Sequence, residues 1–326
     1  FLNALKRWRL ARQGLSSGKK RRVHSENPVI QALEDSFWVK LSLYATFAAS
    51  TAVLVIQAPL DSTFYSNTIK GAIYGLVIAL TALVLFHQGG SRACQRNSRV
   101  VLVLGGLIGH LAIVRLILLI PASPTFPEAF SFLFVPFALV PMLHGVLLGR
   151  SIGSFSSVYV SFIGCLFVDR QDVLGFMIIS LVSGMTSVLL TDQMRKRVQL
   201  LRAGLYVSAI TLLLALILGR LDMSSAFGPA AIDGLQLLGK GSAVVFGTGL
   251  LTALLISGLL PAFEGFFRLT TDISWLELSD LNHKLLRQMQ LEAPGTFHHS
   301  LVVASLAEAA AEKIGANAPM CRVCSY

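Results

Sequence analysis

Leu291-Glu-Ala-Pro-Gly-Thr-Phe-His-His-Ser300, with the alanine-rich run that carries on to Asn317, is the stretch of the 326 residues in which turn signals, an amphipathic pattern and metal-ligating side chains meet. Pro294-Gly295 is a turn pair, and Thr296 is placed to cap a helix over Phe297 to Ile314, ended by Gly315 with Asn317 just beyond. At helical spacing His299 shares a face with Val303, Leu306, Ala310 and Ile314, whereas His298 lines up with Ser305, Glu308 and Glu312. The two histidines therefore point different ways. An imidazole on an apolar stripe is expected to be buried by that packing, and a buried imidazole needs a partner. A backbone carbonyl is the ordinary one; a metal ion is the other.

Outward from this stretch the chain turns apolar. Hydrophobic residues make up 54% and charged residues 13%, with mean hydropathy +0.69, against about 25% charged in ordinary soluble proteins. Eight apolar segments, at about 38–57, 71–87, 100–120, 129–148, 152–168, 173–191, 203–219 and 242–261, approach the roughly 20 residues that a membrane crossing needs. The serine-rich 152–168 is short, so a re-entrant hairpin with 173–191 is the alternative to two full crossings. Pro136 and Pro141 are expected to kink the fourth segment. Gly105 with Gly109, Gly145 with Gly149, and Ser180 with Gly184 have the spacing that lets helices approach closely.

The net charge of +10 is not spread evenly. With the N-terminus inside, the inner segments hold eight basic residues in 1–37, three in 88–99, one in 149–151 and four in 192–202. The outer loops hold only Lys70, Arg170, Arg220 and Lys240. This asymmetry orients the chain with both ends in the cytoplasm. The basic N-terminal run, Lys19-Lys-Arg-Arg22 included, has few aromatics for base stacking, so it reads as a membrane-surface anchor, and nucleic acid is not an expected partner. Cys94, Cys165, Cys321 and Cys324 make no disulfide framework; Cys321-Arg-Val-Cys324 lacks the second pair a zinc site needs.

Two ionisable residues fall inside the membrane segments, where such groups are costly. His110 lies near mid-depth and reads as an interhelical hydrogen-bonding group or part of a sensing cavity; Arg115 lies close enough to the outer end to snorkel or to join that cavity. His144, near the inner end, reads as structural. After Pro261, Phe263, Phe266, Phe267 and Leu269 suggest an interfacial segment, and Trp275 to Met289 a connector.

Residues 260–326 carry, in order, Leu260-Pro-Ala-Phe-Glu264, Leu276-Glu-Leu-Ser279, Leu291 through Ser300 and Ile314-Gly-Ala-Asn317. Together these resemble the membrane-to-catalytic junction of the seven-transmembrane HD hydrolases, bacterial membrane phosphodiesterases that cleave cyclic di-AMP. The resemblance implies an all-α fold: a polytopic transmembrane helix bundle followed by the truncated start of an all-α HD-type phosphohydrolase domain. It implies a plan of 1–37 basic cytoplasmic segment, 38–57 leading helix, 71–261 seven-helix block, 262–291 cytoplasmic connector and 292–326 start of the HD domain. It implies two divalent metal ions, manganese or iron, with His299 at the first metal-ligand position and His298 in a supporting or surface role. The implied partners are the lipid bilayer of the bacterial cytoplasmic membrane and a cyclic dinucleotide substrate, with a homo-oligomer left open.

The chain stops at Tyr326, where the family next places its His-Asp doublet, so a fragment inactive as it stands is expected. The loop from Ala58 to Lys70 leaves no room for the large extracellular domain that the family usually carries, so sensing is expected within the membrane or not at all. A non-enzymatic membrane receptor and a transporter-like helix bundle are the competing readings; no inverted repeat or line of acidic residues favours the latter.

Overall fold

The computed structural model describes residues 28–56, 64–89, 96–120, 132–168, 171–192, 194, 197–221 and 231–326. The basic run up to Arg22, Cys94 and Arg170 lie outside them. No strand occurs among the described residues. A short helix α1 (Pro28–Asp35) leads into α2 (Phe37–Ile56), α3 (Phe64–Gly89) and α4 (Asn97–Leu118). Then come α5 (Leu139–Leu148), α6 (Arg150–Gly164), α7 (Val173–Leu190), α8 (Val198–Ile217) and the long α9 (Ala231–Phe267). Four further helices, α10 (Asp272–Leu278), α11 (Lys284–Glu292), α12 (Pro294–Lys313) and α13 (Ala318–Cys324), follow.

Six helices, α2, α3, α4, α7, α8 and α9, are long and apolar enough to cross a membrane. The remaining two expected crossings form a shorter pair. Pro136 interrupts the fourth segment, so that 132–138 is largely non-helical and α5 covers only about 15 Å. The irregular part is tolerated because Phe132, Leu133, Val135 and Phe137 are buried in protein rather than lipid. The 152–168 and 173–191 segments, α6 and α7, pack side by side, and a tighter turn joins α5 to α6. α5 and α6 are joined by Gly149 alone, whose φ of 95° and ψ of 169° suit a residue without Cβ.

The pair nevertheless runs between both ends of the bundle. At one end Phe132 and Phe137 pack edge-on against Phe176, with ring centroids 5.3 and 5.4 Å apart. Arg220 there pairs with Asp172 and lies over the Phe132 ring. At the other end Arg150 reaches Asp192 at 4.0 Å, just past the close of α7.

Because lipid is as apolar as the helix faces, close packing and interhelical hydrogen bonds replace the hydrophobic effect as the glue between helices. A seam of buried hydroxyls serves here. Ser161 of α6 donates to Ser180 of α7 at 2.8 Å, and Ser183 of α7 shares a 2.8 Å bond with Thr211 of α8. Close approach uses Gly204 and Gly249, where a Cβ added at Gly204 would stand 2.7 Å from the Gly249 carbonyl oxygen. A Cβ at Gly105 or Gly109, by contrast, would meet nothing within 4 Å, so that pair does not serve a close contact.

The last spanning helix differs most from expectation. Instead of the segment 242–261, α9 runs for 37 residues, beginning eleven positions earlier and continuing through Pro261 to Phe267.

Candidate functional site

The end of the bundle that bears α10 is where membrane helices meet the candidate catalytic helix. After Phe267 the chain turns at Arg268, the one non-glycine residue with positive φ (51°) among the described residues. Glu264, on the last turn of α9, holds this turn shut. Its carboxylate accepts from the Thr271 backbone N–H at 3.1 Å, from the Thr271 hydroxyl, and from the Ser274 hydroxyl at 2.7 Å. Thr271 itself caps α10 by accepting from Ser274 N–H.

Ile273, only 2% exposed, then inserts into an apolar cluster made by Leu102, Met142, Leu147, Leu200, Ile256 and Leu260. These residues come from α4, α5, α8 and α9. Arg197, in the turn between α7 and α8, clasps Glu277 with a two-pronged bond of 2.8 and 3.0 Å. On its far side α10 meets the next helices: Asp272 accepts from the Asn317 side chain at 2.9 Å. Asn317 also caps α13, accepting from Met320 N–H at 2.9 Å. One seven-residue helix thus touches the bundle through Ile273, Ser274 and Glu277 and the C-terminal helices through Asp272.

The helix bearing both histidines begins earlier than its turn signals suggest. Pro294 occupies its first turn and Ala293 its N-cap, so Thr296 lies inside α12 rather than capping it. Its end is as expected, with Gly315 at φ 67°. The buried face of α12 is Phe297, Ala304 and Ala311, which pack toward α11 and α13. His299 and the stripe of Val303, Leu306, Ala310 and Ile314 face solvent, with Leu306 67% and Ile314 81% exposed. The expectation that packing buries His299 is therefore corrected. Periodicity identified its stripe, but α11 and α13 pack on a different one.

His298 is exposed as well, its ring edge-on to Phe297 at 6.5 Å. On the His298 face, Glu308 is tied to α13 by Arg322 at 2.7 Å. The phenol of Tyr326, hydrogen-bonded to Arg322 Nε at 2.8 Å, outweighs desolvation and, with Glu308, keeps that guanidinium above its usual range.

Among the described residues no three His, Cys, Asp or Glu side chains gather closely enough to hold a metal ion. A dimetal centre needs several donors to fix geometry and polarise water, and the donors described here do not make one. His299 offers a single exposed imidazole.

The intramembrane candidates do not join this joint. Arg115 is 6% exposed, its guanidinium 6.0 Å from the Phe167 ring centroid at the end of the bundle away from α10, and its Nε has no partner. His110, 1% exposed on the same helix, leaves both ring nitrogens unpartnered. His144 is satisfied: Nδ1 lies 2.7 Å from the Ser156 hydroxyl and Nε2 3.2 Å from the Leu102 carbonyl oxygen. Sequence reasoning missed Ile273, Glu264 and the Arg197–Glu277 pair. Only the Thr271 cap carries a local signal; the others are long-range pairings.

Residues 40–271 match the family described as 7TM receptor with intracellular HD hydrolase, a match running from within α2 to the cap of α10. The chain is 30% identical over 255 residues to a protein named cyclic-di-AMP phosphodiesterase PgpH from Listeria monocytogenes serotype 1/2a (strain 10403S), covering 77% of this chain and 34% of that protein. It is 36% identical over 197 residues to the protein of the same name from Bacillus subtilis (strain 168), covering 59% of this chain and 27% of that one. An uncharacterized protein of Synechocystis sp. (strain ATCC 27184 / PCC 6803 / Kazusa) is 42% identical over 82 residues, 25% of this chain and 10% of that protein. No solved structure matches. The chain spans about a third of the length of the Listeria relative. With well over half of its residues matched, and a multi-pass helix bundle joined through α10 to further helices, the chain belongs to the family of seven-transmembrane receptors with an intracellular HD hydrolase.

Proposed function

We propose that the chain is the membrane part and first catalytic helix of a metal-dependent phosphodiesterase that hydrolyses a cyclic dinucleotide in the bacterial cytoplasm. The two relatives named cyclic-di-AMP phosphodiesterase make cyclic di-AMP the substrate to test first. The excess of basic residues in alternate loops supports placing both ends of the chain, and so α12, on the cytoplasmic side of the cytoplasmic membrane.

The observation that carries this reading is the position of His299. It stands in the first turns of α12, facing solvent above an uncovered apolar stripe. A donor so placed is open to further helices that would supply the missing ligands, with manganese or iron as the ions. His298 lies on the other side of α12 and serves the surface or a supporting hydrogen bond. Movement of the bundle reaches α12 through α10, which touches the bundle through Ile273 and Glu277 and meets, through Asp272, the α13 helix that packs on α12.

The test is cyclic di-AMP hydrolysis, with added manganese, by membranes carrying the chain extended to its natural stop, beside His299→Ala. Turnover that vanishes in the variant is expected. No turnover by well-expressed wild type would remove the cyclic di-AMP assignment and favour a non-enzymatic receptor.

A further inference from the structure

Where the fourth apolar segment is broken, the irregular stretch 132–138 faces α8 and α9 across a cavity of about 20 Å³, room for one occupant the size of a water molecule. The cavity lies deep in the bundle: Ser208 and Thr211 stand near the middle of α8, and Thr248 and Thr252 near the middle of α9. All three walls come from stretches described without a break, and no charged side chain lines them.

The lining oxygens accept and do not donate. Ser208 gives its hydroxyl proton to the Gly204 carbonyl at 2.8 Å, Thr211 to Val207 at 2.9 Å, Thr248 to Val244 at 2.8 Å and Thr252 to Thr248 at 2.7 Å. Each hydroxyl oxygen keeps an open lone pair, even Thr211, which accepts one further bond from Ser183. The Phe137 carbonyl adds to these acceptors. In the ladder that opens α5, Met142 N–H donates to the Ala138 carbonyl at 2.9 Å, but the partner due to Phe137 is Pro141, which has no N–H. Phe137 lines the cavity while its ring packs against Phe132 and Phe176.

We propose that this cavity binds a single dehydrated monovalent cation, sodium. A water molecule would satisfy only two of these acceptors, and its own lone pairs would find no donor; a cation requires acceptors alone. A divalent cation is costly to bury without a carboxylate to offset its charge. Hydroxyl oxygens and the carbonyls of an unwound membrane segment suit one positive charge, and the small volume favours sodium over the larger potassium ion. The ion fastens the stretch 132–138 to α8 and to α9, the helix that carries Glu264 into the joint.

The test is the thermal unfolding midpoint of the full chain in detergent, followed by circular dichroism while sodium chloride replaces choline chloride at constant ionic strength, with a parallel potassium series. The midpoint is expected to rise with sodium, as for any ligand that binds only the folded state, and to rise less with potassium. Thr248→Val and Thr252→Val each keep the shape of the side chain and remove its oxygen. Each should increase the sodium concentration needed for a given rise by about ten-fold, the loss of one bond to a charged group. Thr51→Val removes a buried hydroxyl of α2 that donates to the Phe47 carbonyl away from the cavity, and it should leave the sodium response as in wild type. No rise with sodium, which would leave the cavity to water, overturns the proposal. So does an equal rise with potassium, a wild-type response in both Thr248→Val and Thr252→Val, or a lost response in Thr51→Val. Should one of the two cavity variants not yield folded protein, the other decides alone.

Discussion

Truncating Ile273 to alanine tests what fastens the C-terminal helices to the membrane bundle. Ile273 is 2% exposed and sits among six or more apolar side chains drawn from four membrane helices. Removing a buried isoleucine down to Cβ costs about 2 to 5 kcal/mol, the lost transfer energy plus the cavity left behind. Beside the Glu264–Ser274 bond, α10 is tied to the bundle by Arg197 with Glu277, 38% and 54% exposed; a pair so open to water contributes about 0.2 to 1 kcal/mol. The isoleucine therefore outweighs the ion pair in the docking of α10.

At 1.4 kcal/mol per tenfold, Ile273→Ala raises the population of undocked α10 by about thirty-fold or more, and Glu277→Gln by about five-fold at most. Amide hydrogen exchange read by mass spectrometry resolves this. Peptides covering 268–292 should exchange faster in Ile273→Ala, while peptides from α4 and α7 keep wild-type protection. Equal acceleration in the two variants, or loss of protection throughout the bundle in Ile273→Ala, would refute the docking hierarchy.

Three further outcomes are expected. Gly149→Ala forces a side chain into a backbone region essentially reserved for glycine, at about 1 to 3 kcal/mol; thermal unfolding followed by circular dichroism in detergent should show a lower midpoint, and an unchanged one would mean the α5–α6 reversal is not as described. Glu264→Gln keeps the shape of the side chain but loses charge assistance in its bonds to Thr271 and Ser274, roughly 1 kcal/mol each. Exchange should quicken at 268–275 alone, and unaltered protection there would show that the clamp is dispensable. His110→Leu replaces a buried ring with two unpartnered nitrogens by an apolar side chain, which should be neutral or stabilising by up to about 3 kcal/mol; a lowered melting midpoint would reveal a partner for that ring.

The sequence is most legible where lipid imposes the rule. A lone segment in lipid can satisfy its backbone groups only as a helix, so the long apolar runs of α2, α3, α4, α7 and α8 announce themselves as helices. Legibility fails where protein rather than lipid surrounds the backbone. Phe132 to Ala138 are as apolar as a helix yet largely non-helical, because neighbours cover them and Pro136 breaks the ladder. α12 starts three residues before its turn signals indicate, since Pro-Gly reads as a turn although proline also suits a first helical turn. The stripe through His299 shows a related limit: periodicity groups residues on a face, while neighbouring elements decide which face is covered. Ile273 is the sharpest case, an ordinary apolar residue in a connector whose role exists only in contacts with residues far along the chain.

The length of α9 has a mechanical consequence. Thirty-seven residues in one helix make a rod about 55 Å long, nearly twice the thickness of the hydrocarbon slab. Pivoting about its middle by roughly 10°, such a rod sweeps its tip through about 5 Å, close to one helical turn. Pro261 cannot supply an amide hydrogen to the carbonyl four residues before it, which makes a compliant point six residues from that tip. A small tilt deep in the bilayer would thereby be delivered as a larger stroke at Glu264, and the softness at Pro261 would set how much of it arrives.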